Sequence, residues 1–141
     1  MTKKIFIDTS VFIRFLTKDN NEKYQYCLKL FELIEQGKLR PYISNIVIIE
    51  IIYVLNRQYS FPKKDVLSAV SELLKLRNLT LIESTDMKKS LLLFLKKNIK
   101  FQDCIITTQI PRDSTLITYD NEFKRIEGLK TITPEQIVSE T

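Results

Sequence analysis

The chain has 141 residues, 44% hydrophobic and 28% charged, with a formal net charge of +5 and no histidine. That length suits a single domain over residues 1–141 with a sizeable core, and no apolar run approaches the ~20 residues that cross a bilayer, so no membrane association is expected. Without histidine, Ser-His-Asp and Cys-His catalysis are excluded and a zinc site loses its usual ligand, which leaves carboxylates, lysines, hydroxyls and hard metals to carry any chemistry.

Lys3 and Lys4 lead into only Ile5, Phe6 and Ile7 before Asp8, so the opening does not read as a signal peptide. The same three residues read as a strand buried on both faces of a parallel sheet, ending on Asp8. Thr9 and Ser10 can then turn the chain into a helix from about Val11. Asp8 is either the cap of that helix or an acid at the carboxyl end of a strand, where open α/β sheets place their chemistry.

A helix is expected from about Asn21 to Gln36, with Tyr24, Cys27, Leu28, Phe31 and Ile34 on one face and Gly37 at its end. A short strand follows at about Arg40 to Ile43. The run from Ser44 to Leu55 has the β-branched content of a strand. Its length, and Ser44 and Asn45 in front of it, favour a helix, buried because it is apolar nearly all round. Glu50 stands alone in it as a carboxylate. A buried carboxylate must be paired, protonated or bound to a cation; the plain alternative is solvent or a pair with Arg57.

Pro62 opens a further helix to about Arg77, and Leu79 to Ile82 reads as a short buried strand. Asp86 caps a helix to about Asn98, with Met87, Leu91, Phe94 and Leu95 expected inward. Lys96, Lys97 and Lys100 precede Asp103, which begins a short buried helix broken by Pro111. Such a charge run is usually a solvated face, but beside an acid it can attract phosphate. Leu116 to Tyr119 forms a strand ending on Asp120, Leu129 to Ile132 a last strand, and Pro134 opens a terminal helix. Cys27 and Cys104 lie in apolar runs without CxxC spacing and read as reduced core residues of a cytoplasmic protein.

Asp8, Glu50, Asp103 and Asp120 are thus the acids that fall at strand ends or against the core. Clustered carboxylates repel one another unless a cation neutralises them, and oxygen-only ligands suit Mg²⁺ or Mn²⁺. Such ions can activate water and stabilise a phosphoryl transition state without histidine. The residues by themselves therefore point to metal-dependent phosphodiester hydrolysis.

With these motifs the chain resembles the PIN-domain family, most closely its VapC-type toxin ribonucleases. The resemblance rests on Asp8-Thr9-Ser10, on Glu50, on Phe101-Gln102-Asp103-Cys104-Ile105-Ile106, and on Thr118-Tyr119-Asp120-Asn121-Glu122-Phe123 followed by Ile132-Thr133-Pro134-Glu135. It implies a three-layer α/β/α sandwich around a mainly parallel sheet of about five strands. Asp8, Glu50, Asp103 and Asp120 fall on the family's four metal-holding acids. Beside these acids, Ser10 falls where the family often has Asn or Ser, and Thr118 on the family's Thr that hydrogen-bonds the metal-binding carboxylates. The implied activity is endoribonuclease cleavage, with Arg14, Lys96, Lys97 and Lys100 as candidate RNA contacts. An antitoxin protein and a second copy of the chain are the implied partners.

The stretch Thr107 to Ser114 departs from the family pattern and must shorten the helix after Asp103. A haloacid-dehalogenase-like phosphatase is excluded because it needs a second Asp where Ser10 stands. A catalytically silent module that binds RNA or protein on the same fold is the alternative. Val11, Phe12, Ile13, Phe15 and Leu16 offer more apolar surface than one helix face hides. Part of that surface, with the helix around Tyr24 and Tyr26, is expected to form a groove for an antitoxin helix or partner subunit, the plain alternative being that all these residues are core. Arg14, close to Asp8, would hold an inhibitor's acidic group or a substrate phosphate.

Overall fold

The computed structural model describes residues 2–141. Five short strands form one parallel sheet: β1 (Lys3–Ile7), β2 (Leu39–Ser44), β3 (Thr80–Ile82), β4 (Thr115–Ile117) and β5 (Thr131–Ile132). Their order across the sheet is β3-β2-β1-β4-β5. β1 is central, with Phe6 opposite Tyr42 of β2 on one side and Leu116 of β4 on the other. Ile5, Phe6 and Ile7 are fully buried, as a strand covered on both faces requires.

Seven helices connect and cover the strands. They are α1 (Thr9–Thr17), α2 (Asn21–Glu35), α3 (Asn45–Tyr53), α4 (Lys63–Leu73), α5 (Met87–Lys96), α6 (Phe101–Gln109) and α7 (Pro134–Glu140). By the general rule for parallel crossovers, this strand order puts α1 to α4 against one face and α5 with α6 against the other, and α7 returns to pack on α2. This is the expected three-layer α/β/α sandwich. The crossovers from β1 and β2 run one way and those from β3 and β4 the other. The resulting switch point is the crevice between the carboxyl ends of β1 and β4, the place where such sheets bind ligands.

Local chemistry explains most boundaries. Asn20 Oδ1 accepts from Lys23 N at 3.1 Å to cap α2, and Gly37 closes that helix with φ +77°, where an added Cβ would meet the Arg77 guanidinium at 3.2 Å. Ser44 Oγ accepts from Val47 N and starts α3 as a helix despite its β-branched content. α3 then widens into a π-helical turn over Val54–Gln58. α6 spans nine residues and stops before Pro111, the short helix that Thr107 to Ser114 foretold. Cys27 and Cys104 are both free and buried.

Three expectations fail on burial. Met87, Leu91, Phe94 and Leu95 do not point inward; all four are exposed, Leu95 at 82%. α6 already covers this part of the sheet, so α5 sits outside it and turns Ser90 and Leu93 to the interior. Ser90 Oγ is satisfied there by donating to Asp86 O at 2.8 Å. α3 is not buried all round either, since Ile49, Ile52 and Tyr53 lie on its outer side. β3 is only partly buried because it is an edge strand, and α4 ends at Leu73 rather than Arg77.

Ile106, fully buried in α6 beneath that outer layer, measures how much of the core this helix closes. Ile106→Ala is expected to lower the unfolding free energy by about 2–4 kcal/mol and Ile106→Val by about 1 kcal/mol, read from urea denaturation midpoints.

Candidate active site

Four elements deliver one acid each to the crevice. Asp8 leaves β1, Glu50 comes from α3, Asp103 from the first turn of α6, and Asp120 follows β4. All four line a single open cavity of about 390 Å³, together with Ser10, Arg14, Lys23, Tyr59, Lys100 and Tyr119.

Asp8 occupies the N-cap position of α1 but makes no side-chain cap bond, so the plain capping reading of this residue does not hold. Its Oδ2 instead accepts from Thr118 Oγ1 at 2.7 Å and from Ser10 Oγ at 3.0 Å. Tyr119 N donates to Ser10 Oγ at 3.0 Å and Asp120 N to Thr118 Oγ1 at 2.9 Å, so the same hydroxyls tie α1 to the end of β4. Glu50 makes no pair with Arg57; its Oε1 accepts from Thr9 Oγ1 at 3.1 Å. Asp120 Oδ1 accepts from Glu122 N at 2.9 Å, starting a 3₁₀ turn over Asn121–Arg125. Asp103 is not a cap. It is 5% exposed, and its Oδ2 is shut off from solvent with no hydrogen-bond partner.

The electrostatics follow from this crowding. Burial first, then the neighbouring charges of Asp8, Asp120 and Glu50, push the Asp103 carboxyl up to about 7, with Lys100 opposing them. Burial, then the charge of Asp8, raises Glu50, and burial raises Asp8 itself against its two hydroxyl donors. Each shift records a group that resists ionisation where it stands. The donor set is all oxygen; Asp103 Oδ2 within it, and Glu122 Oε2 outside it, are buried without a donor. Such a set fits a hard divalent cation.

The cationic side chains divide. Lys100 and Arg14 reach the cavity, whereas Lys96 lines a separate hollow with Lys89, Arg112 and Lys130, and Lys97, at the end of α5, does not line the cavity. Arg14 is already engaged, its Nη1 donating to both oxygens of Asp19 at 3.1 and 3.0 Å, while Tyr59 donates to Asp19 Oδ2 at 2.7 Å. Lys23 lies 4.6 Å from the centre of the Tyr119 ring, whose hydroxyl donates to Glu135. Sequence reasoning passed over Thr9, Lys23, Tyr59 and Glu122. Thr9 and Glu122 carried a signal, each standing in a short motif beside one of the acids, Asp8 and Asp120.

On the outer side of α1, Phe12 is fully buried while Phe15, Tyr24 and Tyr26 remain partly exposed. Phe15 stacks on Tyr24 and tilts against Phe31 with centroids 5.7 and 4.5 Å away. Phe15, Leu16, Phe31, Ala69 and Leu73 floor a hollow of about 400 Å³ rimmed by Asp65 and Glu72. Among the described residues, no helix is long and apolar enough to cross a membrane.

A family model described as PIN domain matches residues 5–129. A protein named VapC ribonuclease from Aquifex aeolicus (strain VF5) is 24% identical over 130 residues, covering 91% of this chain and 95% of that protein. VapBC2 from Rickettsia felis, solved bound to a promoter DNA fragment, superposes with a TM-score of 0.68 at 22% identity, over 92% of this chain and 98% of that one. VapC20 from Mycobacterium tuberculosis, described as a toxin that cleaves the sarcin-ricin loop, superposes with a TM-score of 0.68 at 15% identity, over 86% and 93% of the two chains.

The raised carboxyls give a pH signature. Asp103 ionises at about 3.9 in an unfolded chain and at about 7 here, so the folded state holds the extra proton. Its contribution is therefore fully present below about pH 4 and is lost as pH rises through 7. Thermal melting in a chelator should show Tm falling between pH 5.5 and 8, and Asp103→Asn should flatten that fall.

Proposed function

The chain belongs to the PIN domain family, and from that premise we propose that it is a metal-dependent endoribonuclease, the toxin of a VapBC-type pair. One observation carries the reading: acids from four separate elements line one cavity, where burial and neighbouring carboxylates hold Asp103, Glu50 and Asp8 against ionisation. A fold bears that cost at a strand-end crevice only where a ligand repays it. Asp8, Glu50, Asp103 and Asp120 would hold Mg²⁺ or Mn²⁺. Bound there, the cation would neutralise the carboxylates and polarise water and the phosphodiester.

The chain's own residues do the positioning. Ser10 and Thr118 fix the Asp8 carboxylate, and Thr9 fixes Glu50. Lys100 and Lys23 stand at the cavity to meet phosphate oxygens, and Tyr119 offers part of an aromatic face beside them. Arg14 is a reserve contact that must first leave Asp19. Lys96 and Lys97 are solvated-face lysines in this reading, outside the substrate path.

The aromatic hollow between α1, α2 and α4, with its acidic rim, suits an antitoxin segment bearing apolar anchors and basic flanks. The exposed apolar side chains of α5 and α3 suit a second copy of the chain. A cytoplasmic setting agrees with free, buried cysteines.

Cleavage of single-stranded and hairpin RNA should require Mg²⁺ or Mn²⁺, stop with a chelator, and leave 5′-phosphate and 3′-hydroxyl ends. Asp8→Asn or Asp103→Asn should lower the rate by at least about 100-fold while the protein stays folded. A folded chain that binds RNA but cleaves none under these conditions is the silent binding module instead. In RNA binding, Lys23→Ala with Lys100→Ala should weaken affinity and reduce the slope of log K against log salt by about 1–2, whereas Lys96→Ala with Lys97→Ala should leave that slope unchanged.

A further inference from the structure

We propose that Glu122 is a further cation-holding residue of this site, closing a three-carboxylate seat with Asp103 and Asp120. The inference rests on the metal-dependent reading above and extends it to a residue outside the four acids. Each of the three side chains offers a carboxylate oxygen, and these oxygens lie within 4.8 Å of one another. Three anionic oxygens that close repel strongly in a poorly solvated place.

Crowding alone does not make a site, but the hydrogen bonding here is incomplete in a directed way. Asp103 is 5% exposed and its Oδ2 has no donor; Glu122 Oε2 is likewise shut off from solvent with no donor. Among the described residues only one other buried side-chain oxygen is left so, that of Gln109, at the other end of α6 in a separate hollow. Buried oxygens are almost always satisfied, and an exception calls for an unplaced water or ion. Glu122 forms none of the ion pairs among the described residues.

The backbone aims Glu122 at the cluster. Asp120 Oδ1 takes the Glu122 N–H at 2.9 Å, and Phe123, fully buried, anchors the 3₁₀ turn. That turn brings the side chain two residues after Asp120 back beside Asp103. The other side of the crevice is built differently, with Asp8 Oδ2 taking two hydroxyls and Glu50 Oε1 one. The unfilled oxygens therefore concentrate on the Asp103–Asp120–Glu122 side, where a hard cation replaces missing hydrogen-bond donors.

The test is Mn²⁺ binding by titration calorimetry, with melting curves recorded with and without Mn²⁺, on the full chain and its variants. Glu122→Gln should raise the Mn²⁺ Kd at least tenfold, leave the metal-free Tm unchanged or higher through relief of repulsion, and shrink the Tm gain that Mn²⁺ gives. Glu127→Gln, an exposed acid beyond the turn, should change none of these. A Glu122→Gln protein with the unaltered Kd and Tm gain overturns the assignment while leaving the four-acid reading intact, provided Asp103→Asn has lost binding. If the unaltered chain, folded, binds no Mn²⁺ at millimolar concentration, both fall. A second measurement needs no variant: substoichiometric Mn²⁺ should broaden the Glu122 side-chain carboxyl resonance along with that of Asp103, and a Glu122 resonance that stays sharp overturns the proposal.

Discussion

Carboxylates taken out of water repel one another and hold on to their protons, and the crevice between β1 and β4 gathers enough of them to make that repulsion the central constraint of this protein. The acids do not meet by local sequence. Asp8, Glu50, Asp103 and Asp120 arrive from β1, α3, α6 and the end of β4, so the whole sandwich must be assembled before they crowd. Packing of Ile5, Phe6 and Ile7 of β1 and the helices around them supplies the free energy that holds the acids there. The crevice is thus the least comfortable part of a well-packed molecule, as expected where function rather than stability sets the arrangement.

Hydroxyls do the orienting work that imidazole performs in many hydrolases. Thr118 Oγ1 donates to Asp8 and accepts from Asp120 N, and Ser10 Oγ donates to Asp8 and accepts from Tyr119 N. Each hydroxyl uses its donor on a carboxylate and its acceptor on the backbone, so neither can rotate without losing both bonds. The result ties the start of α1 to the end of β4 across the switch point. It also splits the site into a satisfied half around Asp8 and an unsatisfied half around Asp103.

Residues whose roles follow from their own element were readable in advance. Ile5 to Ile7 ending on Asp8 announced a central strand with an acid at its end, and Ser44 in front of the β-branched run correctly announced a helix, because a side-chain cap offsets weak propensity. What could not be read depended on layers. Periodicity marks the apolar stripe of α5 but not whether another helix lies between it and the sheet, so Met87, Leu91, Phe94 and Leu95 were placed inward when α6 holds that position. The lysines show the same limit. Lys96, Lys97 and Lys100 are near neighbours in sequence, yet only Lys100 reaches the acids, because the chain ends α5 and reverses into α6 between them. Glu122 escaped notice because a 3₁₀ turn, not a strand or helix period, directs it.

Charge distribution links these features to substrate approach. The chain as a whole is basic, with a net charge of +5, so its far field attracts a polyanion. The crevice gathers carboxyl groups, and phosphate brought near Asp8 and Asp103 is repelled once those two ionise. Lys100 and Lys23 at the cavity counter this only partly, since the acids outnumber them. Under the proposed function, a cation among the carboxylates reverses the sign of the last few ångströms of that path. Cation and RNA phosphate then stabilise each other's binding, and by linkage the coupling is equal in both directions: RNA must tighten the cation as much as the cation tightens RNA. The same coupling bears on inhibition. An antitoxin that occupies the hollow between α1, α2 and α4 leaves the acids untouched, but a basic side chain reaching past Arg14 would compete for the charge that the cation neutralises.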